Sequence, residues 1–187
     1  MQRILLQKEK YRVQIIYTRI DRDAANKPSF KNFYFNTGDS LYYYPASTVK
    51  LPLAALSLEK LNRLRVPDVN KFTAIQYDSS YSGQKFLYKD STAATGLPSI
   101  AQFVRKAFLI SDNDAYNRMY EFVGQQEINR SLHAKGYGHM RIVRQFMRLN
   151  EDENRHTNLV RFLDKGGRAV YTQAPAYNKD SFDFSRP

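Results

Sequence analysis

The longest apolar pattern in the chain predicts a buried helix over residues 51–61. Leucine and alanine cover nearly every side of this helix, at Leu51, Leu53, Ala54, Ala55, Leu56, Leu58 and Leu61. Apolar positions all round a helix indicate burial. Pro52 has no backbone N–H to donate, so we expect a defect or slight kink in the first turn.

A strand pair is predicted ahead of this helix. Residues 11–20 and 30–36 alternate apolar and polar side chains, on either side of a polar turn that contains Asn26 and Pro28.

Two more helices are predicted after it. Residues 100–110 carry apolar side chains at helical spacing behind the N-cap residue Ser99, and residues 115–123 form a helix that ends at Gly124.

Composition limits the class of protein. With 187 residues and 42% hydrophobic content, the chain is long enough for one domain with a core. No apolar stretch is long enough to span a bilayer. The apolar run within residues 1–7 is too short for a signal peptide, so the protein is either cytoplasmic or exported with its leader removed. Without cysteine, the chain forms no disulfide and carries no lipid-attachment cysteine.

The first motif with chemical meaning is Ser47-Thr48-Val49-Lys50, an S-x-x-K pattern at the start of the buried helix. Positions three apart on a helix share a face, so the Lys50 amine can reach the Ser47 hydroxyl. The N-terminus of the helix adds partial positive charge and free N–H groups, which suit an oxyanion on an attacked carbonyl.

Two other segments match the same pattern. They are Ser57 to Lys60, in the middle of the helix with Lys60 directed at solvent, and Ser82 to Lys85, in the polar run of residues 78–84. We interpret both as ordinary surface pairs.

The second motif is Ser111-Asp112-Asn113, which separates the two later helices. Ser111 or Asp112 could simply cap the second helix, a common role for both residue types. Because the tripeptide follows a buried S-x-x-K helix, the catalytic interpretation is favoured: a hydroxyl that handles protons and a carboxamide that holds a substrate amide.

In this order, the two motifs resemble the serine β-lactamase and penicillin-binding-protein superfamily. The nearest type is class A, whose motifs are S-x-x-K, S-D-N and K-T-G. The resemblance extends over residues 11–157. It implies a single α+β, β-lactamase/transpeptidase-like domain, with the strand pair in residues 1–40 and a mainly helical lobe and following loop in residues 41–187.

The resemblance also implies a serine hydrolase mechanism on an amide or lactam. Ser47 is the expected nucleophile and forms an acyl-enzyme, with Lys50 as the base. Ser111 would relay the proton to the leaving nitrogen, and Asn113 would bind the side-chain amide of the substrate. Asp112 is expected to point inward and hold the loop.

The chain also departs from the family pattern. No Lys-Thr-Gly, Lys-Ser-Gly or His-Thr-Gly occurs, and the nearest string, at residues 165–167, reads as a turn. The chain is therefore expected to be the N-terminal portion of a longer domain, which associates with itself or with the missing segment. The deacylating glutamate of class A would fall in residues 149–158, where Glu151 and Glu153 are candidates without the usual Glu-x-x-x-Asn spacing.

The net charge of +11 does not indicate nucleic-acid binding, because the basic residues are scattered and never run to five. Attraction to anionic cell-wall polymers explains it equally well. His133, His139 and His156 are isolated, so no metal is expected, and no cofactor is implied.

Several alternatives stay open. The substrate could be a β-lactam, a peptidoglycan-like D-alanyl peptide or an ester, and the resemblance favours a periplasmic or cell-surface location. The rival function is a non-catalytic scaffold that binds cell-wall peptide or a protein partner.

Overall fold

The computed structural model describes residues 2–38, 40–80 and 83–181, which fall into two compact units, residues 2–44 and 45–181. Small antiparallel sheets and helices make up the described residues, which confirms the α+β class.

The first unit contains two short helices and a β-hairpin. The helices are α1 (Gln2–Leu6) and α2 (Lys8–Tyr11), and the strands are β1 (Ile15–Arg22) and β2 (Pro28–Phe35). The strands pair antiparallel from Ile15 with Phe35 to Arg22 with Pro28, and every residue of both is exposed. In the turn, the Asp23 carboxylate accepts the N–H groups of Ala25 and Lys27. The predicted strand pair is thus confirmed, with Pro28 inside β2.

The second unit is built around helices. A 3₁₀ turn (Ala46–Val49) leads into α3 (Lys50–Leu64), and α4 (Ile100–Leu109), α5 (Asn113–Val123), α6 (Gln125–Ala134) and α7 (Glu151–Arg155) follow. Every residue of α5 from Ala115 to Val123 is buried, and α3 and α4 pack against it. Ser99 caps α4 by accepting the Gln102 N–H, as predicted. Because α5 is central, the loop that leads into it is held in a fixed place.

Helix α3 is more one-sided than its sequence suggests. Leu53, Leu56 and Leu61 are buried, but Leu51 is 63% exposed. The surface prediction for the pair Ser57 and Lys60 was wrong.

Ser57 lies on the face of α3 that packs inward, is fully buried, and donates its hydroxyl to the Leu53 carbonyl at 2.8 Å. Lys60 donates to the Phe122 carbonyl at the C-terminal end of α5, at 2.7 Å, and pairs with Glu127 of α6 at 3.2 Å. Ser82 lies outside the described residues.

A three-stranded antiparallel sheet, absent from the sequence-based prediction, completes the second unit. Its strands are β3 (Ala74–Tyr77), β4 (Val160–Leu163) and β5 (Ala169–Gln173), in the order β3-β4-β5. The Phe162 ring meets the Phe122 ring edge-on at 5.6 Å, which joins the sheet to α5. Between β4 and β5, the Gly167 N–H donates to the Asp164 carbonyl at 3.0 Å with φ 82°, so the predicted turn at residues 165–167 is confirmed.

Among the described residues, none of the helices is both long enough and apolar enough to cross a membrane.

Candidate active site

Ser47 lies in the 3₁₀ turn just before α3, where its side chain is exposed. Ala46, immediately before it, has φ 44°, in the left-handed region that non-glycine residues seldom adopt. Within the described part of the chain, the Ser47 N–H has no hydrogen-bond acceptor. The serine therefore presents both its hydroxyl and a backbone donor at the surface.

Lys50 is the first residue of α3, and it is only 2% exposed although Ser47 beside it is exposed. Its Nζ lies 3.2 Å from Ser47 Oγ, as the S-x-x-K spacing predicts. Burial lowers the pKa of the Lys50 amine below the ordinary 10.5, and the negative charge of Asp112 opposes this shift. The neutral amine of Lys50 therefore forms at a lower pH than that of an exposed lysine.

Ser111 comes from the loop between α4 and α5, 64 positions from Ser47 in sequence. Its Oγ lies 3.0 Å from Ser47 Oγ and 2.8 Å from Lys50 Nζ. The Ser111 carbonyl also accepts from Lys50 Nζ. Ser111 has a left-handed backbone, with φ 54°. In this conformation both its carbonyl oxygen and its Oγ contact the Lys50 amine.

Asn113 begins α5, and its Oδ1 accepts from Lys50 Nζ at 2.8 Å. An amide N–H₂ in that position would face the N–H groups of the lysine, so the oxygen assignment fits the contact. In the described part of the chain the Asn113 N–H₂ group has no acceptor, and the residue is exposed. That group is available to a carbonyl from outside.

The four contacts of Lys50 define what its amine can do. The Ser111 carbonyl and Asn113 Oδ1 can only accept, whereas the hydroxyls of Ser47 and Ser111 can donate or accept. A neutral amine can therefore give its two N–H groups to the obligate acceptors and keep its lone pair for a hydroxyl. The site is built so that the amine can take a hydroxyl proton.

Asp112 has a structural task. It is the N-cap of α5 and accepts the Ala115 N–H at 2.9 Å, and it pairs with Lys106 at 3.5 Å. The capping alternative therefore holds for Asp112, while Ser111 and Asn113 on either side of it turn toward Lys50.

A model described as the beta-lactamase enzyme family matches residues 1–173, most of the chain. The chain belongs to the beta-lactamase enzyme family. No curated protein and no solved structure matches it at a significant level. Membership supports a hydrolase of the serine type in general, and the α+β fold agrees with the family.

The two glutamates considered for the deacylating role of class A members both make local contacts that stabilise α7. Glu153 forms a capping box with Asn150, whose N–H it accepts at 2.7 Å. Glu151 pairs with Arg155 at 3.0 Å. Among the described residues, neither glutamate forms a hydrogen bond with Ser47 or Lys50.

Sequence reasoning missed the aromatic neighbour of the site. The Phe146 ring centroid lies 5.3 Å from Lys50 Nζ, and the Phe146 N–H donates to Asn117 Oδ1 at 2.8 Å. A lone phenylalanine in an irregular segment carries no sequence signal for this placement, which depends on a contact with α5. Among the described residues, no group of three or more His, Asp or Glu side chains could hold a metal ion.

Proposed function

We propose that the protein is a serine hydrolase that acts on an amide or lactam through an acyl-enzyme on Ser47. The observation that supports this most strongly is the convergence of Ser47, Ser111 and Asn113 on the buried Lys50 amine.

In the proposed acylation, Ser47 Oγ attacks the carbonyl carbon while Lys50 accepts the hydroxyl proton. The Ser47 N–H, free of partners in the described part of the chain, donates to the developing oxyanion. As the tetrahedral intermediate collapses, the C–N bond breaks. Ser111 Oγ, 2.8 Å from Lys50 Nζ, passes the proton from the lysine to the leaving nitrogen.

The proposed substrates are β-lactams or peptidoglycan-like peptides. Asn113 would hold the substrate through its free N–H₂ group, with a carbonyl of the substrate side chain as the acceptor. A periplasmic or cell-surface location, where such substrates occur, is part of this proposal, and the net charge of +11 suits anionic polymers there.

Labelling with a fluorescent penicillin tests the proposal. Intact mass and peptide mapping should place one acyl adduct on Ser47, and Ser47→Ala should abolish it. Ser57→Ala is the matched control, because Ser57 also begins an S-x-x-K string but is fully buried. An adduct on Ser57 or Ser111, or neither an adduct nor hydrolysis of the penicillin, would contradict the proposal.

A further inference from the structure

One side of the Lys50 amine faces an aromatic ring instead of a polar group. The Phe146 ring centroid lies 5.3 Å from Lys50 Nζ, within the range of a cation–π contact. The polar contacts of the amine come from Ser47, Ser111 and Asn113. A ring in this position prevents a water molecule from lying against the amine on that side.

Contacts with residues of α5 hold Phe146 in place. The Phe146 N–H donates to Asn117 Oδ1 at 2.8 Å, and its ring lies 4.5 Å from that of Tyr116, centroid to centroid. The Tyr116 hydroxyl donates to the Arg144 carbonyl at 3.0 Å. Tyr116 and Asn117 are both buried in α5, so the core of the unit fixes the ring.

Helix α7 also holds the same segment. The N–H of Gln145 donates to Asn154 Oδ1 at 2.8 Å, and Asn154 is buried in α7. Two helices thus hold the backbone of residues 144–146 through hydrogen bonds, and the contact with the Tyr116 ring orients the Phe146 ring.

Hydrolysis of an acyl ester on Ser47 needs a water molecule next to a base. A new bond forms from the water oxygen to the acyl carbon, the bond from that carbon to Ser47 Oγ breaks, and a base moves the water proton to Oγ. The candidate carboxylates are committed elsewhere: Asp112 caps α5, Glu153 closes the capping box of α7, and Glu151 pairs with Arg155.

We propose that Phe146 is a positioning residue that excludes water from the base of the acylated site, so that the acyl-enzyme on Ser47 is hydrolysed slowly. This inference rests on the proposed function. It assigns to the site fast acylation, in which Lys50 acts as the base, and slow deacylation, in which the ring shields Lys50 from water. Without a positioned base, deacylation should be slower by about 100-fold to 10,000-fold.

The lifetime of the adduct on Ser47 tests this inference. After labelling with benzylpenicillin and removal of free ligand, intact mass should show the wild-type adduct persisting far beyond one ordinary turnover. In Phe146→Ala, water can reach the neutral Lys50 amine, so the adduct should be lost up to about 100-fold faster.

Two comparisons separate this role from a general effect on the fold. Phe146→Leu fills most of the space with apolar atoms and should restore the long lifetime. Phe72→Ala, at a phenylalanine that is 73% exposed, should leave the lifetime unchanged. The acidic limb of the acylation pH profile should move to higher pH in Phe146→Ala, because water stabilises the ammonium better than the ring does.

Each outcome is decisive. A wild-type adduct on Ser47 that turns over at about 1 s⁻¹ or faster overturns this inference but leaves the proposed function intact. The absence of any adduct on Ser47, together with no hydrolysis of benzylpenicillin, overturns both. A folded Phe146→Ala variant whose adduct lasts as long as the wild type also overturns the inference, and if that variant does not fold, the wild-type lifetime decides alone.

Discussion

Replacing the two neighbours Asp112 and Asn113 by alanine should separate stability from chemistry. Asp112 caps α5 at 2.9 Å, and loss of an N-cap costs about 1 kcal/mol, with a range of about 0.5 to 2. The lost ion pair with Lys106 adds little, because Lys106 keeps Asp90 at 3.5 Å. For a chain of this size each kcal/mol lowers Tm by about 2 to 4 °C, so we expect Asp112→Ala to melt about 1 to 8 °C lower.

Asn113→Ala should behave in the opposite way. Four oxygens surround the three hydrogens of the Lys50 ammonium, so removal of Asn113 Oδ1 still leaves a partner for each. The free energy of unfolding should therefore change little. Acylation should slow about tenfold, since a hydrogen bond is worth about 0.5 to 1.5 kcal/mol and 1.36 kcal/mol is a factor of ten in rate.

Thermal unfolding followed by circular dichroism and timed labelling with a fluorescent penicillin measure the two effects. Asp112→Asn is the control, because asparagine caps helices as well as aspartate and should recover most of the lost stability. Equal melting temperatures for Asp112→Ala and Asn113→Ala, or acylation of Asn113→Ala at the wild-type rate, would refute this division of roles.

Two further predictions concern Lys50 and Ser111. Burial lowers the pKa of Lys50, so the acylation rate should rise with pH through a midpoint below 10.5. For the same reason the folded protein should bind fewer protons than the unfolded chain at alkaline pH, so the free energy of unfolding should increase with pH there. Thermal melts of Lys50→Met in parallel should lack this increase. Ser111→Gly should be more stable than Ser111→Ala by about 1 kcal/mol, because only glycine adopts φ 54° without steric cost, while both should acylate slowly; equal stability in urea unfolding would argue against strain at this position.

Helices α3, α4 and α5 could be predicted from sequence because their apolar periodicity is long and regular. Their environment was harder to predict, as Leu51 and Ser57 illustrate: the leucine is largely exposed and the serine fully buried, the reverse of what side-chain chemistry suggests. Packing against α5 determines which face of α3 is buried, and the sequence of α3 alone does not specify that contact. The sheet β3-β4-β5 was missed because strands of four or five residues give too short a pattern to detect.

The contacts of the candidate site likewise include some that the sequence predicts and some that it does not. The contact between Ser47 and Lys50 is local and follows from helical spacing, whereas Ser111 and Asn113 could be joined to it only through the resemblance of the motif pair to a known family. Phe146 could not be predicted at all, because its position depends on a hydrogen bond to Asn117, 29 residues earlier in the chain.

The two unusual backbone residues at the site clarify why the motifs act together. Ala46 and Ser111 both have left-handed backbones without being glycine, at φ 44° and 54°, and one adjoins the S-x-x-K motif while the other begins the Ser-Asp-Asn motif. Such conformations persist only where the surroundings fix them, at a cost on the order of 1 to 3 kcal/mol each. The cap at Asp112 and the four contacts of Lys50 are those surroundings. The stability of the α5 N-terminus therefore bears directly on whether the Ser47 hydroxyl stays within reach of the Lys50 amine.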